Sequence, residues 1–357
     1  MNRKALIVTD IQNAMIAGGV KLHTRQLITF LQKNSFDVEL FIESIHQDKS
    51  YFSDLVPEDK IIITNHRGKY FRNNIIGVFY DKYLTRKIKR KNFSIVIINT
   101  GDISKYWGFS MKNSKNIHIL HSLFTKKISI KNMFFVNNIK NKKIITVSNY
   151  AKKLLMKNTS IISSNINVVY NHTMHSSCHK TNFKKNNEII ILSVGQRVKY
   201  KGIYDWLEVS KKIIALRNNV KFIWLGDGPI QLDLSESEQK KIHLAGYKKD
   251  LSEYYSTSDI YYHPSHIENH SLSILEAMSF KLPIVACDTG GNSESINNNI
   301  SGLIVQKSNI DEHVTTLLKL IDNKILRDSL ADNAYHTYIK KFSLPSWEKN
   351  MIKTLEL

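Results

Sequence analysis

Short apolar runs alternate with amphipathic helical segments along nearly the whole chain, and this alternation constrains the fold more than any other feature. Several runs, such as 93–99, are apolar almost throughout, as strands covered on both faces of a parallel sheet must be. Helical patterns such as 20–33 and 150–157 lie between the runs. Repeated strand–helix units predict doubly wound α/β sheets. The predicted strands are 5–10, 37–42, 61–64, 93–99, 117–121, 144–148, 166–171, 188–195, 220–226, 241–246, 259–265, 282–287 and 301–306.

The length of 357 residues is more than one hydrophobic core usually serves, which favours two domains. A polar stretch at 172–184 interrupts the alternation and is the predicted linker. We therefore expect two Rossmann-like domains, over 1–171 and 185–342. The end of the chain reads as helices interrupted at Pro345, and residues 343–357 form a helix that could pack back on the first domain.

Composition indicates a globular protein, since 42% of the residues are hydrophobic and no apolar run reaches the roughly 18 residues of a membrane span. The first residues meet Asp10 too early for a signal peptide and are expected to form a buried strand. Two cysteines, Cys178 and Cys287, are too few for a disulfide framework. These features predict a cytoplasmic protein.

The formal net charge of +20 leaves two interpretations open, a lysine-rich composition without a specific role and a surface for anionic partners. Two basic clusters could place the protein peripherally at the inner face of the plasma membrane. In the first, Tyr80, Leu84 and Ile88 recur at a spacing of four, so that they either belong to a membrane-binding helix or face the domain core. The first cluster contains Arg86, Lys87, Lys89, Arg90 and Lys91, and the second Lys126, Lys127, Lys131, Lys140, Lys142 and Lys143.

Glycines and cations occur where predicted strands end, which is where parallel sheets bind ligands. The pair Gly18–Gly19 precedes a helix and would let backbone amides approach a phosphate. Gly195 ends another strand, and Arg197 and Lys201 follow it in a loop. A guanidinium and an ammonium there suit a departing diphosphate, although solvated surface cations would explain them as well. The sequence 225–229 is predicted to be a further strand end that turns into a helix.

The segment 259–280 contains two carboxylates separated by seven residues, Glu268 and Glu276. Glu276 lies on one line of a predicted helix with apolar neighbours four residues away on each side, so burial would require hydroxyl or amide partners. Ribose hydroxyls could serve, and so could neighbouring protein groups. The residues Asn269, His270, Ser271 and Leu272 offer backbone amides at the helix start to an anionic group.

Histidines near the linker raise the question of a metal site. His172, His175, Cys178 and His179 do not follow a standard zinc-binding spacing, and the segment is hydrophilic. We therefore expect no metal ligand in this chain.

Taken together, the C-terminal motifs resemble the donor-binding domain of the retaining glycosyltransferases of family four, which have the GT-B fold, two Rossmann-like domains facing across a cleft. The motifs occur in the order of that family and near its spacings. The N-terminal half is similar more loosely, through Gly18–Gly19–Val20, His121 and the segments 147–155 and 168–172. The C-terminal residues that carry the resemblance are Gly195, Arg197, Lys201, Gly202, 226–229, Leu244, Gly246, 258–260, Pro264, Ser265, 268–278, Pro283, Val285, Ala286, Gly290, Gly291, Glu294, Gly302 and Leu303.

The resemblance implies a role for each candidate site residue. Arg197 and Lys201, which follow Gly195, would hold the diphosphate and stabilise it as a leaving group. Glu276 would bind ribose, and Glu268 would orient the donor sugar. Further roles fall to Asn269, His270, Ser271 and Leu272, whose amides would contact the donor, to Gly19, which would close on the phosphates, and to His121, which would lie near the transferred sugar.

The sequence departs from the family pattern at two places among these candidate site residues. Gln196 stands where the family often has an arginine, which comes one residue later here. Asn269, His270 and Ser271 replace the usual Gly-Phe-Gly, which keeps the backbone contacts and could change the sugar preference.

We therefore expect a hexosyltransferase with an acceptor-binding N-terminal domain and a nucleotide-sugar-binding C-terminal domain. The donor would be a UDP-sugar or GDP-mannose, with no obligatory metal or other cofactor. The acceptor would be a glycan or a lipid-linked acceptor of bacterial cell-surface polysaccharide synthesis. The alternatives are a nucleic-acid-binding protein, which would leave Glu276 unexplained, a GT-B epimerase or phosphorylase, and a non-catalytic sugar-nucleotide-binding subunit.

Overall fold

The computed structural model describes residues 3–11, 19–44, 49–64, 88, 91–100, 111, 113–123, 143–159, 161–173 and 188–357. The chain divides into two compact units. The first comprises Met1–Val169 together with Met351–Leu357, and the second comprises Tyr170–Asn350.

The first unit is built on a parallel sheet of seven strands. These are β1 (Arg3–Ile11), β2 (Phe36–Ser44), β3 (Ile61–Thr64), β4 (Ile95–Thr100), β5 (Lys115–Leu120), β6 (Lys143–Thr146) and β7 (Ile166–Val168). Their order in the sheet is β3-β2-β1-β4-β5-β6-β7, with every neighbouring pair parallel. Helix α1 (Gly19–Lys33) follows β1, and α2 (Asn149–Asn158) follows β6. Ser148 caps α2 by accepting a hydrogen bond from the Ala151 amide at 3.0 Å.

The second unit contains a parallel sheet of six strands. These are β8 (Ile189–Val194), β9 (Val220–Leu225), β10 (Ile242–Gly246), β11 (Ile260–His263), β12 (Ile284–Cys287) and β13 (Leu303–Val305), in the order β10-β9-β8-β11-β12-β13. Its helices are α3 (Ile203–Leu216), α4 (Glu236–Gln239), α5 (Ser252–Thr257), α6 (Leu272–Ser279), α7 (Asn292–Ser295), α8 (Ile310–Asp322) and α9 (Lys324–Lys341). The last helix, α10 (Leu344–Leu355), begins in the second unit and ends in the first. The side chains of Asn309 and Asn323 cap α8 and α9.

The predicted α/β class is confirmed, because each predicted strand is present with ends that differ by a few residues. Both sheets have the strand order in which the connections reverse direction next to the first strand. The reversal lies between β1 and β4 in the first sheet and between β8 and β11 in the second. Loops that leave such neighbouring strands diverge and open a crevice at their carboxyl ends. Each unit therefore has one preferred place for a ligand.

Helices cover both faces of the second sheet. On one face Trp206, Ile213 and Leu317 pack on strand residues that include Tyr262. On the other, Leu275, Met278 and Ala334 pack on a set that includes Tyr261. Successive residues of β11 thus face opposite layers, so that the strand is apolar throughout.

The hydrophobic core of the first unit contains Ile88, which lies within the first basic cluster. Ile88 is 3% exposed and packs with a hydrophobic cluster that includes Leu6, Val8 and Phe41. Of the two interpretations of this spacing, Ile88 therefore agrees with the one in which the residues face the domain core. Tyr80 and Leu84 lie outside the described residues.

Two members of the basic clusters are described, and both form ion pairs. Lys91 contacts Glu39 at 2.6 Å and Lys143 contacts Glu356 at 2.7 Å. The other cluster members lie outside the described residues. In the part of the chain that the structure describes, no helix is both long and apolar enough to cross a bilayer.

The last residues of the chain are bound to the first unit by two lysines at the start of β5 and β6. Lys115 donates to the carbonyl of Leu355 at 2.7 Å and contacts the Glu356 carboxylate. Lys143 donates to the carbonyl of Thr354 at 2.8 Å and to the same carboxylate. The two lysines thereby satisfy carbonyl groups that the end of α10 leaves without partners inside the helix.

One prediction about the C-terminal helices was wrong. Pro345 does not interrupt a helix, because it lies in the first turn of α10, which begins at Leu344. The first amides of a helix have no partner inside it, so that a proline is tolerated there. The break falls at Phe342 and Ser343, between α9 and α10.

The predicted strand-to-helix turn at 225–229 was also wrong. Strand β9 ends at Leu225, and no helix follows until Glu236. Gly226 has a φ of 130°, and a Cβ atom there would lie 2.1 Å from the carbonyl oxygen of Gly195. Such a conformation brings two loops together and is incompatible with a helix start.

The unit boundary precedes Tyr170, whereas the sequence places the predicted domain end at residue 171. Tyr170 donates a hydrogen bond to Glu294 at 3.0 Å, and Asn171 donates to the carbonyl of His270 at 3.0 Å. These two residues therefore pack within the second unit. Residues 174–187, which include most of the predicted linker, lie outside the described residues.

We expect Trp206→Ala to destabilise the second unit by about 3–5 kcal/mol, because the fully buried indole packs against Trp224 with the ring centres 5.4 Å apart. Trp206→Phe should cost less than half as much, since the indole N–H lacks an acceptor among the described residues and phenylalanine removes that donor. Urea unfolding followed by circular dichroism measures both. Equal unfolding midpoints for wild type and Trp206→Ala would contradict the assignment.

Candidate functional site

The loops after β8 and β11, the two strands at the reversal point of the second sheet, carry a pair of opposite charges. Lys201 ends a short 3-10 turn (Lys199–Lys201) after β8, and Glu268 lies in the loop after β11. The Lys201 ammonium directly contacts Oε1 of Glu268, and the two side chains are 22% and 9% exposed. The fold thus joins two candidate residues that are 67 positions apart in the sequence.

His263 is a third member of this group that sequence reasoning missed. Its Nε2 lies 3.1 Å from the same Oε1 atom of Glu268. Burial alone would raise the pKa of Glu268, but the Lys201 charge and the His263 hydrogen bond lower it to about 2. Glu268 is therefore a carboxylate at neutral pH. The available signal was a histidine that closes an otherwise apolar strand at the reversal point.

An ionised carboxylate can only accept hydrogen bonds, so His263 donates from Nε2. Its Nδ1 then accepts from the Tyr261 hydroxyl, 3.4 Å away. Tyr261, His263 and Glu268 form a buried chain of hydrogen bonds that ends on the Lys201 contact. Because Lys201 and His263 both contact Glu268 at Oε1, Oε2 is the oxygen that can serve a ligand.

Two glycines allow the loops to approach this closely. Gly202 has a φ of 76°, and a Cβ there would lie 2.0 Å from the carbonyl oxygen of Pro264. Gly290 has a φ of 58°, and its Cβ would lie 1.7 Å from the carbonyl oxygen of Glu268. Any side chain at either position would push the loops apart.

A second set of contacts ties the same two loops together. The His266 amide donates to the carbonyl of Tyr200 at 2.8 Å. The His266 ring nitrogen Nε2 lies 2.7 Å from Oδ2 of Asp205, in the first turn of α3. These contacts involve residues next to Lys201 and close to Glu268 in the sequence, and they fix the positions of the two loops relative to each other.

Glu276 lies inside α6 and is 8% exposed. The hydroxyl of Tyr255, which the sequence did not indicate, donates to Oε2 of Glu276 at 2.8 Å. Burial raises the pKa of Glu276 to about 7, and the bond from Tyr255 only partly opposes this rise. One protein hydroxyl therefore satisfies part of the carboxylate, as one of the two alternatives expected, and leaves it unusually basic.

The start of α6 presents backbone rather than side chains. Ser271 is the N-cap residue, but its side chain makes no capping bond and instead lies 3.0 Å from the hydroxyl of Ser273. The first amides of α6, at Leu272 and beyond, can thus receive an anion. Asn269 precedes them in the same loop and is half-buried.

The His270 side chain is buried against other residues of the second unit. It is 5% exposed, stacks on Tyr170 at 5.0 Å, and its Nε2 lies 3.2 Å from the hydroxyl of Ser295. Burial lowers the pKa of His270 to about 3, so that the ring is neutral. The His270 ring therefore brings no positive charge to the site.

Arg197 and Gly195 lie in the loop after β8. The Arg197 backbone is held by Asp227, whose carbonyl accepts its amide at 2.9 Å, and by Gly228, where a Cβ would meet the Arg197 carbonyl oxygen at 2.4 Å. The Nε atom of Arg197 is buried and has no acceptor among the residues that the structure describes. A buried guanidinium donor without a protein acceptor suits an anionic ligand.

The remaining candidates belong to the first unit. Gly19 is the exposed first residue of α1, and Gly18 lies outside the described residues. His121 follows β5, and its Nε2 lies 2.7 Å from Oδ1 of Asn99 on β4. Burial lowers the pKa of His121 to about 4, so that its ring is neutral at pH 7. Asn99 is a further residue that sequence reasoning missed.

The described residues contain no group of three or more His, Cys, Asp or Glu side chains placed to hold a metal ion. Of the histidine-rich stretch, only His172 is described, and it packs on Trp347 with the ring centres 4.6 Å apart. In the second unit, cations, helix amides and two carboxylates occupy one edge of the sheet. Such a set can bind a ligand with both phosphates and hydroxyls.

Two protein families match consecutive segments of the chain. Residues 177–337 match the family described as glycosyl transferases group 1, and residues 17–173 match the one described as glycosyltransferase family 4. The two matches together cover most of the sequence; the first contains all strands of the second sheet, and the second contains β2 to β7 of the first sheet.

Relatives and solved structures agree with these matches. The capsular polysaccharide biosynthesis glycosyltransferase CapM of Staphylococcus aureus is 22% identical over 348 residues, 89% of either chain. A glycosyltransferase from Rickettsia africae has a similar structure, with a TM-score of 0.75 at 22% identity over 99% of this chain and 98% of that one. The Anabaena protein HepE, solved with UDP-glucose, gives 0.72 at 15% identity over 98% and 99%. The chain therefore belongs to the group 1 glycosyltransferases, has the GT-B fold and is an enzyme of the hexosyltransferase type.

Proposed function

We propose that the protein transfers a hexose from a nucleoside-diphosphate sugar with retention of configuration, and that the donor binds at the reversal point of the second sheet. The observation that carries the proposal is the buried contact of Lys201 with Glu268, beside the start of α6. It supplies a cation for a diphosphate and a fixed carboxylate for sugar hydroxyls at one place.

The leaving group would be stabilised by protein cations and amides rather than by an obligatory metal. As the bond between sugar and diphosphate breaks, negative charge grows on the phosphate oxygens. Lys201, Arg197 and the amides from Asn269 to Leu272 would stabilise this charge. The Arg197 Nε donor, buried without a protein acceptor in the described chain, supports its part in this role.

Glu276 would hold the ribose of the donor. Its carboxylate is buried and has a raised pKa, and a hydroxyl pair could donate to it as Tyr255 already does. Glu268 would use Oε2 for a sugar hydroxyl, with Oε1 held by Lys201 and His263. Gly19 and His121 would act from the first unit, on the phosphates and near the transferred sugar.

The proposed donor is a UDP-sugar, because HepE, which has a similar fold, was solved with UDP-glucose. GDP-mannose is the second donor to test. The proposed acceptor is a glycan or lipid-linked glycan of cell-surface polysaccharide synthesis, as the relationship with CapM suggests. Peripheral contact with an anionic membrane through the basic clusters, and the absence of nucleic acid as a partner, remain predictions.

Retention would follow from attack on the face that the diphosphate leaves. No described carboxylate is assigned as a covalent nucleophile, and a phosphate oxygen would accept the proton of the acceptor hydroxyl. Nuclear magnetic resonance of the product tests this directly. An anomeric configuration opposite to that of the donor would refute the proposal, and a new sugar nucleotide formed without acceptor would instead indicate an epimerase.

The first prediction for the proposed function concerns Glu276→Gln. Loss of charge-assisted bonds to ribose should weaken UDP binding by roughly 1.5–3 kcal/mol, about ten- to a hundredfold, measured by isothermal titration calorimetry. The same variant should be more stable than wild type without ligand at pH 8. The pKa of Glu276 is about 7 in the folded protein and 4.5 in the unfolded chain, so the folded state binds the proton more tightly. The stability that this proton contributes is fully present below pH 4.5 and is lost as the pH rises through 7.

The stability difference at pH 8 should reach about 3 kcal/mol and vanish near pH 4.5. A purely structural Glu276 would give the stability change without any loss of UDP affinity. Unchanged UDP affinity in the folded variant would therefore refute the ribose assignment.

The second prediction concerns Lys201→Ala, which should lower kcat by about a hundred- to a thousandfold and the donor KM far less, since the charge matters most as the diphosphate leaves. Lys212→Ala is the matched control. Lys212 lies on the same segment after β8, is 45% exposed and pairs with Asp311, so its loss should leave kcat unchanged. If both variants turn over like wild type, Lys201 is not part of the catalytic machinery.

A further inference from the structure

A single buried amide lies between two imidazole rings in the first unit. Asn99 on β4 is fully buried, and its Oδ1 is 2.7 Å from Nε2 of His121 and 3.0 Å from Nδ1 of His23 on α1. The two rings meet edge to face with their centres 4.7 Å apart. Three separate elements thus converge on one oxygen atom.

The neighbours of the amide nitrogen decide which way the Asn99 side chain is turned. Its Nδ2 lies 2.8 Å from the hydroxyl oxygen of Thr24 and 3.5 Å from the carbonyl oxygen of Val20. The Thr24 hydroxyl gives its own hydrogen to the Val20 carbonyl at 2.8 Å, so it can only accept from Asn99. The opposite orientation would place the Asn99 oxygen against the Val20 carbonyl oxygen and against the Thr24 hydroxyl oxygen, whose hydrogen is already donated to Val20. The nitrogen therefore faces Thr24, and the oxygen faces the histidines.

An amide oxygen accepts hydrogen bonds and cannot donate them. Each ring nitrogen that faces it must therefore carry a hydrogen, which is Nε2 in His121 and Nδ1 in His23. Burial keeps the His121 ring neutral, with a pKa of about 4. A neutral ring has one hydrogen, so the lone pair of His121 is on Nδ1.

We propose that Asn99 is a positioning residue that holds His121 in the tautomer with hydrogen on Nε2, so that toward a sugar hydroxyl His121 acts as an acceptor and not as a proton donor. The tautomer follows from the contacts within the first unit alone, whereas its catalytic use rests on the proposed function. His23 shares the same oxygen, so that its Nδ1 also carries a hydrogen.

The hydrogen-bonding capacity of Asn99 is used in full by this arrangement. Its two amide hydrogens point to Thr24 and Val20, and its oxygen accepts from both histidines. A carbonyl oxygen has two lone pairs, which matches the two imidazole donors. Replacing Asn99 therefore releases both rings at once, while the donor-binding residues of the second unit remain unchanged.

Histidine-selective ¹⁵N labelling and two-bond ¹H–¹⁵N correlation spectra of the full-length protein at pH 7 test the tautomers. The signals are assigned from the variants His121→Phe and His23→Phe. We expect His121 with hydrogen on Nε2 and His23 with hydrogen on Nδ1. The reverse pattern, or averaged signals for both rings, would overturn the proposal.

Two substitutions of Asn99 separate positioning from packing. Asn99→Leu has a similar shape and no acceptor, so the tautomers should average and kcat should fall at least tenfold. Asn99→Asp keeps an acceptor for both rings but adds a charge, which favours the protonated imidazole. The described titratable group against His121 is His23. In Asn99→Asp, activity should therefore return only as the pH is raised, whereas wild type stays active down to lower pH.

UDP affinity, measured by calorimetry, is the control and should change less than twofold in both variants. If wild type does not bind UDP or transfer sugar, the proposed function fails and the spectra still decide the tautomer. If transfer occurs and both variants keep the wild-type kcat and pH profile, Asn99 has no positioning role.

Discussion

The buried contact between Lys201 and Glu268 is the interaction on which the donor site depends. A buried carboxylate without a partner would be protonated or would destabilise the fold, so the ammonium must reach it from another loop. That reach requires the chain to leave β8 and β11 at the reversal point and requires glycine at 202 and 290. The strand order, the two glycines and the ion pair therefore form one dependent set, and His263 completes it by sharing the Glu268 oxygen.

The sequence was sufficient for the strands, because a parallel sheet covered on both faces leaves nearly continuous apolar runs that are hard to mistake. It also indicated Glu276, because a carboxylate on an apolar helical line is conspicuous. It did not indicate Tyr255, which supplies the partner from a different helix, or Asn99, whose neighbours lie up to 79 positions away in the sequence. Pro345 was misread because the rule against proline within a helix does not apply to the first turn.

The two units prepare their polar groups in different ways. In the second, full charges are held against each other, and the pKa values of Glu268 and Glu276 move in opposite directions, to about 2 and about 7. In the first unit, the neutral side-chain amide of Asn99 sets the hydrogen positions of two imidazoles. Cations suit the binding of phosphates, while carboxylates and neutral acceptors suit the recognition of hydroxyls.

The placement of Glu356 has a consequence for the order of events during synthesis. Lys115 and Lys143 emerge from the ribosome long before their partner, since Lys115 and Glu356 are 241 positions apart. The second unit, made of consecutive residues Tyr170–Asn350, can fold before the last contacts of the first unit exist. A nascent chain thus holds an unfinished first unit throughout the translation of the second, and the first unit is completed only after Met351–Leu357 have been made.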